Sequence, residues 1–304
     1  MRKLFFELMQ VAVGQLDCVS RFPAPNEWQK LYDLAQHHAV AGICHHGVTK
    51  LYDYGLVAPH ELSLNWLAAV EQIKNQNRGR SRRLIKLQEE LQTHHLRSSV
   101  ITGPGLARFY DRELQLLRYT PSIDLYVFGY KNQVNLNQWE DIHVHIFTEL
   151  SAGKASQRNH RFEKWLLQNN DLMFRKAGDL TVPSHAMTII LQIVHLYNLF
   201  LEKQMMMRNL MDLFFVLRFG AGNMQHFKFS QSDLDEEIKA LGLTRFAGGL
   251  MWLMQQIFNL DTQHMPEEPS EEEGQFLLHQ MMDDGFTFHT WWHKLWYYTC
   301  QNLT

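Results

Sequence analysis

The residue types able to do chemistry gather in one short stretch. Val100-Ile-Thr-Gly-Pro-Gly-Leu-Ala-Arg-Phe-Tyr110 is followed by Leu116-Leu-Arg-Tyr-Thr-Pro-Ser-Ile-Asp-Leu-Tyr-Val127. β-Branched and aromatic runs bounded by Gly and Pro predict a strand, a glycine turn, a short helix and then a second strand carrying Asp124. That order suits nucleotidyl transfer, in which an NMP group moves from an NTP to an acceptor. Charge builds on the attacking and leaving oxygens, and two Mg²⁺ ions about 4 Å apart stabilise both. Mg²⁺ favours carboxylate oxygens and water. The chemistry therefore asks for two acids at i and i+2 on one strand, a third on the neighbouring strand, and a glycine turn whose N–H groups meet phosphate.

The chain meets that demand in part. Gly103 and Gly105 suit the turn, and Asp124 supplies one strand acid. Ser122 stands where the other acid would be. Residues 141–147, Asp-Ile-His-Val-His-Ile-Phe, alternate with period two, which puts Asp141, His143 and His145 on one face of a further strand. A neutral imidazole at His143 would still ligate a metal but brings no charge.

Helical segments must position these residues. Leu4, Phe5, Leu8, Met9, Val11 and Ala12 share one helical face, and Trp28, Leu31, Leu34 and Ala35 repeat the pattern after Pro23 and Pro25. Residues 61–97 form a long periodic stretch whose middle holds Arg78, Arg80, Arg82 and Arg83, a solvated face or a basic wall beside a phosphate site. Residues 98–150 read as a small α/β island, with a hairpin-like link near 129–138 making its last two strands neighbours. From Pro183 the chain is helical again, over 187–201, 205–219 and 246–258. The acidic residues 266–273 read as a loop, and Trp291, Trp292 and Trp296 as a packed terminal helix. The expected fold is α+β: a small mixed β-sheet within a core at 98–182, flanked by an N-terminal helical region at 1–97 and a C-terminal one at 183–304.

Composition bounds the rest. The 304 residues are 45% hydrophobic, enough for a proper core, and the formal net charge of −3 gives no bulk basic surface for nucleic acid. Three widely spaced cysteines, Cys18, Cys44 and Cys300, suit a reducing compartment. Glu7, Gln10, Gln15 and Asp17 interrupt what would otherwise resemble a signal peptide, and no apolar run approaches the ~20 residues of a membrane span. A cytoplasmic protein without membrane partners is expected. Seventeen histidines include the pairs His37-His38, His45-His46 and His94-His95. Adjacent positions point to different helix faces, so these pairs do not share an ion.

The order of the pieces resembles the uncharacterised bacterial nucleotidyltransferase family of the DNA polymerase β-like superfamily. Residues 28–43 look like its N-terminal helix pair, and Ile101-Thr-Gly-Pro-Gly105 like its Leu-Lys-Gly segment. Arg118 with Ser122-Ile-Asp-Leu-Tyr-Val127 looks like the following Arg and Asp-x-Asp strand, and His143-Val-His145 stands where the family carries Glu-x-His. His195-Leu-Tyr197, Arg208-Asn-Leu-Met-Asp212 and the 246–258 helix match its helical half.

The departures fall on the chemistry. Thr102 replaces the expected lysine, Ser122 the first strand acid and His143 the third. Losing two negative ligands weakens ion binding, each ~1.4 kcal/mol being tenfold. The resemblance thus implies a nucleotidyltransferase-like sheet and a degenerate member, weakly active or inactive, that retains nucleotide binding.

The implied catalytic positions are Asp124, Ser122 and His143. Asp124, His143 and Asp141 would hold Mg²⁺, and Gly103, Gly105, Arg118 and Arg208 would meet the NTP. Arg208 and Asp212, at i and i+4, either pair on one helix face or leave Arg208 facing a cleft between the sheet and the later helices. His195, on an apolar helix, reads as a core histidine more readily than as a base. Two rival readings remain open: an active enzyme with shifted ligands, in which Asp124, Asp141 and a histidine converge, and a helical interaction protein that recruits a protein partner through its Met- and Trp-rich C-terminal surface.

Overall fold

The computed structural model describes residues 1–129, 144–147, 150, 156–220 and 231–282, with only the backbone of 144–147. Asp141, His143, Trp291, Trp292 and Trp296, as well as Cys300, lie outside the described residues. The order of elements is α+β: helices α1 (Arg2–Ala12), α2 (Trp28–His37), α3 (Ala41–Lys50) and α4 (His60–Thr93) lead into strand β1 (Arg97–Val100). Helix α5 (Pro104–Ala107), strands β2 (Ile123–Phe128) and β3 (Val144–Phe147) and helix α6 (Ser156–Gln168) follow. A hairpin of β4 (Arg175–Ala177) and β5 (Leu180–Val182) precedes helices α7 (His185–Leu201), α8 (Met207–Gly220), α9 (Gln231–Ala240), α10 (Thr244–Phe258) and α11 (Glu271–Met282).

Helix α4 ties the architecture together. Its 34 residues span about 50 Å at the α-helical rise. Leu62, Trp66 and Val70 join the main core with α1, α3, α7, α8 and α10. Leu84, Leu87 and Leu91, about four turns further on, build a second core with Leu96, Val100, Ile123, Leu125, Val127 and Val182. The same helix therefore anchors the N-terminal bundle and roofs one face of the sheet.

The three-stranded sheet runs in the order β1-β2-β3. β1 pairs antiparallel with β2, Val100 opposite Leu125. β2 pairs with β3 in parallel, Asp124 opposite His145 along the backbone. The last two strands are neighbours as expected, but a hairpin cannot join parallel strands, which need a crossover. Strand alternation then sorts the central strand. Ile123, Leu125 and Val127 enter the second core beneath α4, whereas Tyr126 joins the main core. Asp124 shares the Tyr126 face and so points away from α4, toward the helices that follow.

The β4–β5 hairpin, turning at Gly178 (φ 61°), has only three residues per strand and leaves little periodicity to read. Gln88 of α4 holds it: the side-chain amide accepts from Thr181 N–H at 2.9 Å and donates to Thr181 O at 3.1 Å, as a neighbouring strand would.

The later helices follow the apolar periodicity closely. Met251, Leu253, Met254, Ile257 and Phe258 of α10 are fully buried, so this Met-rich helix is core. The acidic segment expected as a loop is a loop only until α11 begins at Glu271. Ser270 N–H donates to Gly248 O at 2.9 Å, and the buried Glu273 carboxylate meets Arg245. Those contacts pack the segment onto α10. No described helix is long and apolar enough to cross a membrane.

One buried group makes the bundle sensitive to acid. His38 follows α2, stacks on Phe5 at 5.7 Å between centroids, and has no hydrogen-bond partner for Nδ1 among the described residues. Burial, with a smaller contribution from His37, pushes its pKa down to about 4. An unfolded chain binds that proton near pH 6.5, so the stabilisation is complete above pH 6.5 and is lost as pH falls toward 4. Its size is about 3 kcal/mol by linkage. In urea unfolding from pH 7 to 4.5, His38→Phe is expected to flatten the acid-side loss of stability; an unchanged slope would remove His38 as its source.

Candidate functional site

A cavity of about 510 Å³ opens between the sheet and α7–α8. Ile101, Thr102, Leu106, Ser122 and Asp124 form one wall. Leu191, Val194, His195, Asn198 and Glu202 of α7 and its C-cap form another, and Arg208, Asn209 and Asp212 of α8 close the back with Arg118. The expected position of the cleft, between the sheet and the later helices, matches this arrangement.

Asp124 is held by its backbone. Its N–H donates to Thr102 Oγ1 at 2.9 Å, and its carbonyl accepts from Ile101 N–H at 2.8 Å. Together these carry the β1–β2 pairing past Val100 to the lip of the cavity. Thr102, which replaces the lysine of the resemblance, thus fixes the strand that bears the acid. Ser122 and Asp124, two residues apart, line the same space, as the two-residue period of an extended chain requires.

The glycines do different work from that expected. Gly103 adopts φ 63°, ψ −124°, a conformation that L side chains rarely take. A Cβ on Gly105 would lie 2.4 Å from Val100 O, so its missing side chain lets α5 press against β1. Gly105 N–H donates to Thr102 O at 3.3 Å. Neither glycine is among the residues lining the cavity.

Behind the cavity lies a buried ion pair. Arg118 Nε and Nη2 donate to the two carboxylate oxygens of Asp212 at 2.6 and 2.7 Å, and both side chains are 2% exposed. Tyr110 OH donates to the same carboxylate at 2.7 Å, and Arg118 Nη1 donates to Thr120 Oγ1 at 2.9 Å. Asn77 of α4 fixes the segment by donating to Leu116 O and Arg118 O, each at 2.8 Å. Burial alone would push the Arg118 guanidinium down, but the Asp212 carboxylate overrides it and holds Arg118 above its ordinary value. Burial, reinforced by Asp212, keeps the Tyr110 phenol well above its usual range. The helical pairing of Arg208 with Asp212 gives way to this one because Arg118 takes both carboxylate oxygens.

Arg208 is therefore left at the cavity. Its Nε is buried and has no hydrogen-bond partner among the described residues. Burial lowers its pKa, the Arg118 cation adds to the effect, and Asp212 opposes it. Burial also pushes His195 below its ordinary value, while the Asp124 carboxylate pulls the other way.

Of the implied site residues, the structure brings Ser122, Asp124, Arg118 and Arg208 to one cavity, with Arg118 committed to Asp212. It places Gly103 and Gly105 beside that cavity, and Asp141 and His143 fall outside the described residues. His195, read as a core residue, lines the cavity. A signal for it exists in the sequence: Leu191, His195, Asn198 and Glu202 recur at helical spacing, a largely polar stripe on an apolar helix. Among the described residues no three of His, Cys, Asp and Glu gather as a metal-holding group.

A family model described as an uncharacterised nucleotidyltransferase matches residues 24–259. The chain belongs to that family. The match takes in every element that walls the cavity, from Ile101 to Asp212. No curated protein matches the chain, and no solved structure does.

Breaking the Arg118–Asp212 pair should be costly, because the remaining charge stays buried. Arg118→Met is expected to lower stability by about 3–5 kcal/mol in denaturant unfolding, and the double variant with Asp212→Leu to recover much of the loss. Equal losses in the two would show that packing, and not charge, is at stake. Gly105→Ala should cost about 2 kcal/mol or more, because Val100 O cannot move without disturbing β1; a neutral substitution would contradict the close approach of α5.

Proposed function

We propose that the protein binds a nucleoside triphosphate in the cavity and has lost most or all of the transfer reaction of its ancestry, so that it is a degenerate nucleotidyltransferase. The observation that carries this reading is the pair Ser122 and Asp124. Both line one cavity at the spacing a two-metal site needs, and only one is a carboxylate. The sheet-side wall supports the reading through its order of elements: strand, turn, short helix and central strand with Asp124.

Magnesium is the ion such a site would use, and the described donors fit it incompletely. Asp124 offers a carboxylate and Ser122 a hydroxyl, a set suited to one Mg²⁺ arriving with the phosphates of a substrate. Bound there, Mg²⁺ would neutralise phosphate charge as a Lewis acid. The chain's own residues supply the rest. Thr102 sets the height of Asp124 over the cavity, and the apolar side chains of Ile101, Leu106, Phe162 and Leu191 offer a surface to a base or sugar and exclude water.

Calorimetric titration of the protein with ATP, GTP, CTP and UTP, each with and without Mg²⁺, tests this directly. Metal-dependent binding of at least one is expected, weakened tenfold or more by Asp124→Ala. Ser122→Asp, which restores the second acid, is expected to tighten the Mg²⁺-dependent binding by about tenfold, ~1.4 kcal/mol. Absence of binding to all four would overturn the proposal.

A further inference from the structure

We propose that the polyphosphate end of the bound nucleotide is held by Arg208 on the helical wall of the cavity, and not by the Gly103–Gly105 turn. The inference rests on the nucleotide-binding reading and adds an orientation to it. It also identifies a polyphosphate-binding group that works without metal.

The turn is poorly built for phosphate. Gly105 N–H is engaged with Thr102 O, and the N–H groups of Leu106 and Ala107 both donate to Gly103 O, at 3.1 and 3.0 Å. Helix α5 is only four residues long, which leaves little dipole to attract an anion. The missing side chains are used against Val100, Thr120 and Ile123, in the packing of the turn on the sheet.

The opposite wall has what the turn lacks. Arg208 places a buried Nε with no partner at the cavity, among the described residues. A buried donor is normally paired, since leaving it unsatisfied in a low-dielectric site is expensive. The acid that helical spacing would offer it, Asp212, has both oxygens on Arg118 and a further bond from Tyr110. Asn209 Oδ1 is also occupied, accepting from Met206 N–H at 3.1 Å. The pair Arg118–Asp212 is neutral overall, so the Arg208 charge stands uncancelled by it. Glu202 adds a negative charge on the α7 side of the lining, at an exposed position. A planar guanidinium with an open Nε edge suits bidentate contact with phosphate oxygens. The cavity is thereby polarised, with Asp124 on the sheet side and Arg208 on the helix side.

Titration of the full chain with inorganic triphosphate, ATP and adenosine, first in EDTA and then with Mg²⁺, reads this placement. Triphosphate and ATP are expected to bind without metal, adenosine far more weakly. Arg208→Gln should weaken the metal-free binding tenfold or more, and Arg208→Lys should weaken it less. The melting temperature of ligand-free Arg208→Gln should be equal to or above that of the parent, because the half-buried guanidinium whose Nε lacks a partner among the described residues has been removed; a marked fall would show that Arg208 is a structural cation and overturn the inference. Metal-free binding that Arg208→Gln leaves unchanged would also overturn it. The two readings can fail separately. Nucleotide binding that depends on Mg²⁺ and Asp124 but not on Arg208 keeps the nucleotide site and rejects this orientation. Triphosphate binding through Arg208 with no added affinity from the nucleoside keeps the anion site and rejects the nucleotide.

Discussion

Two charges buried together must cancel, and where they do so decides what the neighbouring space can bind. Asp212 has a choice between Arg208, one helical turn away on α8, and Arg118, on the segment before β2. The long-range choice wins because Arg118 meets the carboxylate with two parallel donors, while Asn77 and Thr120 hold the segment in place. A bidentate guanidinium–carboxylate pair is stronger than an exposed helical pair. The pair joins the segment entering the sheet to the C-terminal helices, and so sets the distance between the two walls of the cavity. It also determines that the remaining arginine faces the open space.

The acid strand depends on that arrangement in turn. Thr120 receives Arg118 through its hydroxyl and Arg80 of α4 through its carbonyl, two residues before Ser122. Ser122 and Asp124 are presented from the entry and the start of a strand, β2, whose other face is sealed by α4. One face of β2 serves stability and the other serves the cavity, and strand alternation keeps the two apart.

Much of this was legible in the sequence. The amphipathic α1 and α2, the long α4, the apolar α7, α8 and α10, and the strand–turn–helix–strand order around Asp124 all follow from periodicity and from Gly and Pro punctuation. Some features were not legible, each for a physical reason. The direction of β3 relative to β2 is set by pairing across the sheet, which local pattern does not encode. The β4–β5 hairpin is too short to show alternation and is completed by a glutamine from α4. The partner of Asp212 is a contact across 94 residues that competes with a nearer candidate. Glycine in a turn reads the same whether it serves phosphate or packing, and only the closeness of Val100 O to Gly105 distinguishes the two.

The span of α4 has a consequence for how the molecule comes apart. One continuous helix contributes side chains to both apolar cores, so melting its second half strips the sheet of its cover while the first half remains seated among α1 and α3. A helix interrupted at its centre loses cooperativity, because each half must then nucleate for itself. The middle of α4, with Gly79 among Arg78, Arg80, Arg82 and Arg83, has the weakest helix former of its stretch between the parts that serve the two cores. The middle of α4 is therefore the place where the cover of the sheet and the anchor of the bundle can part, since each half of the helix is held by a different apolar cluster.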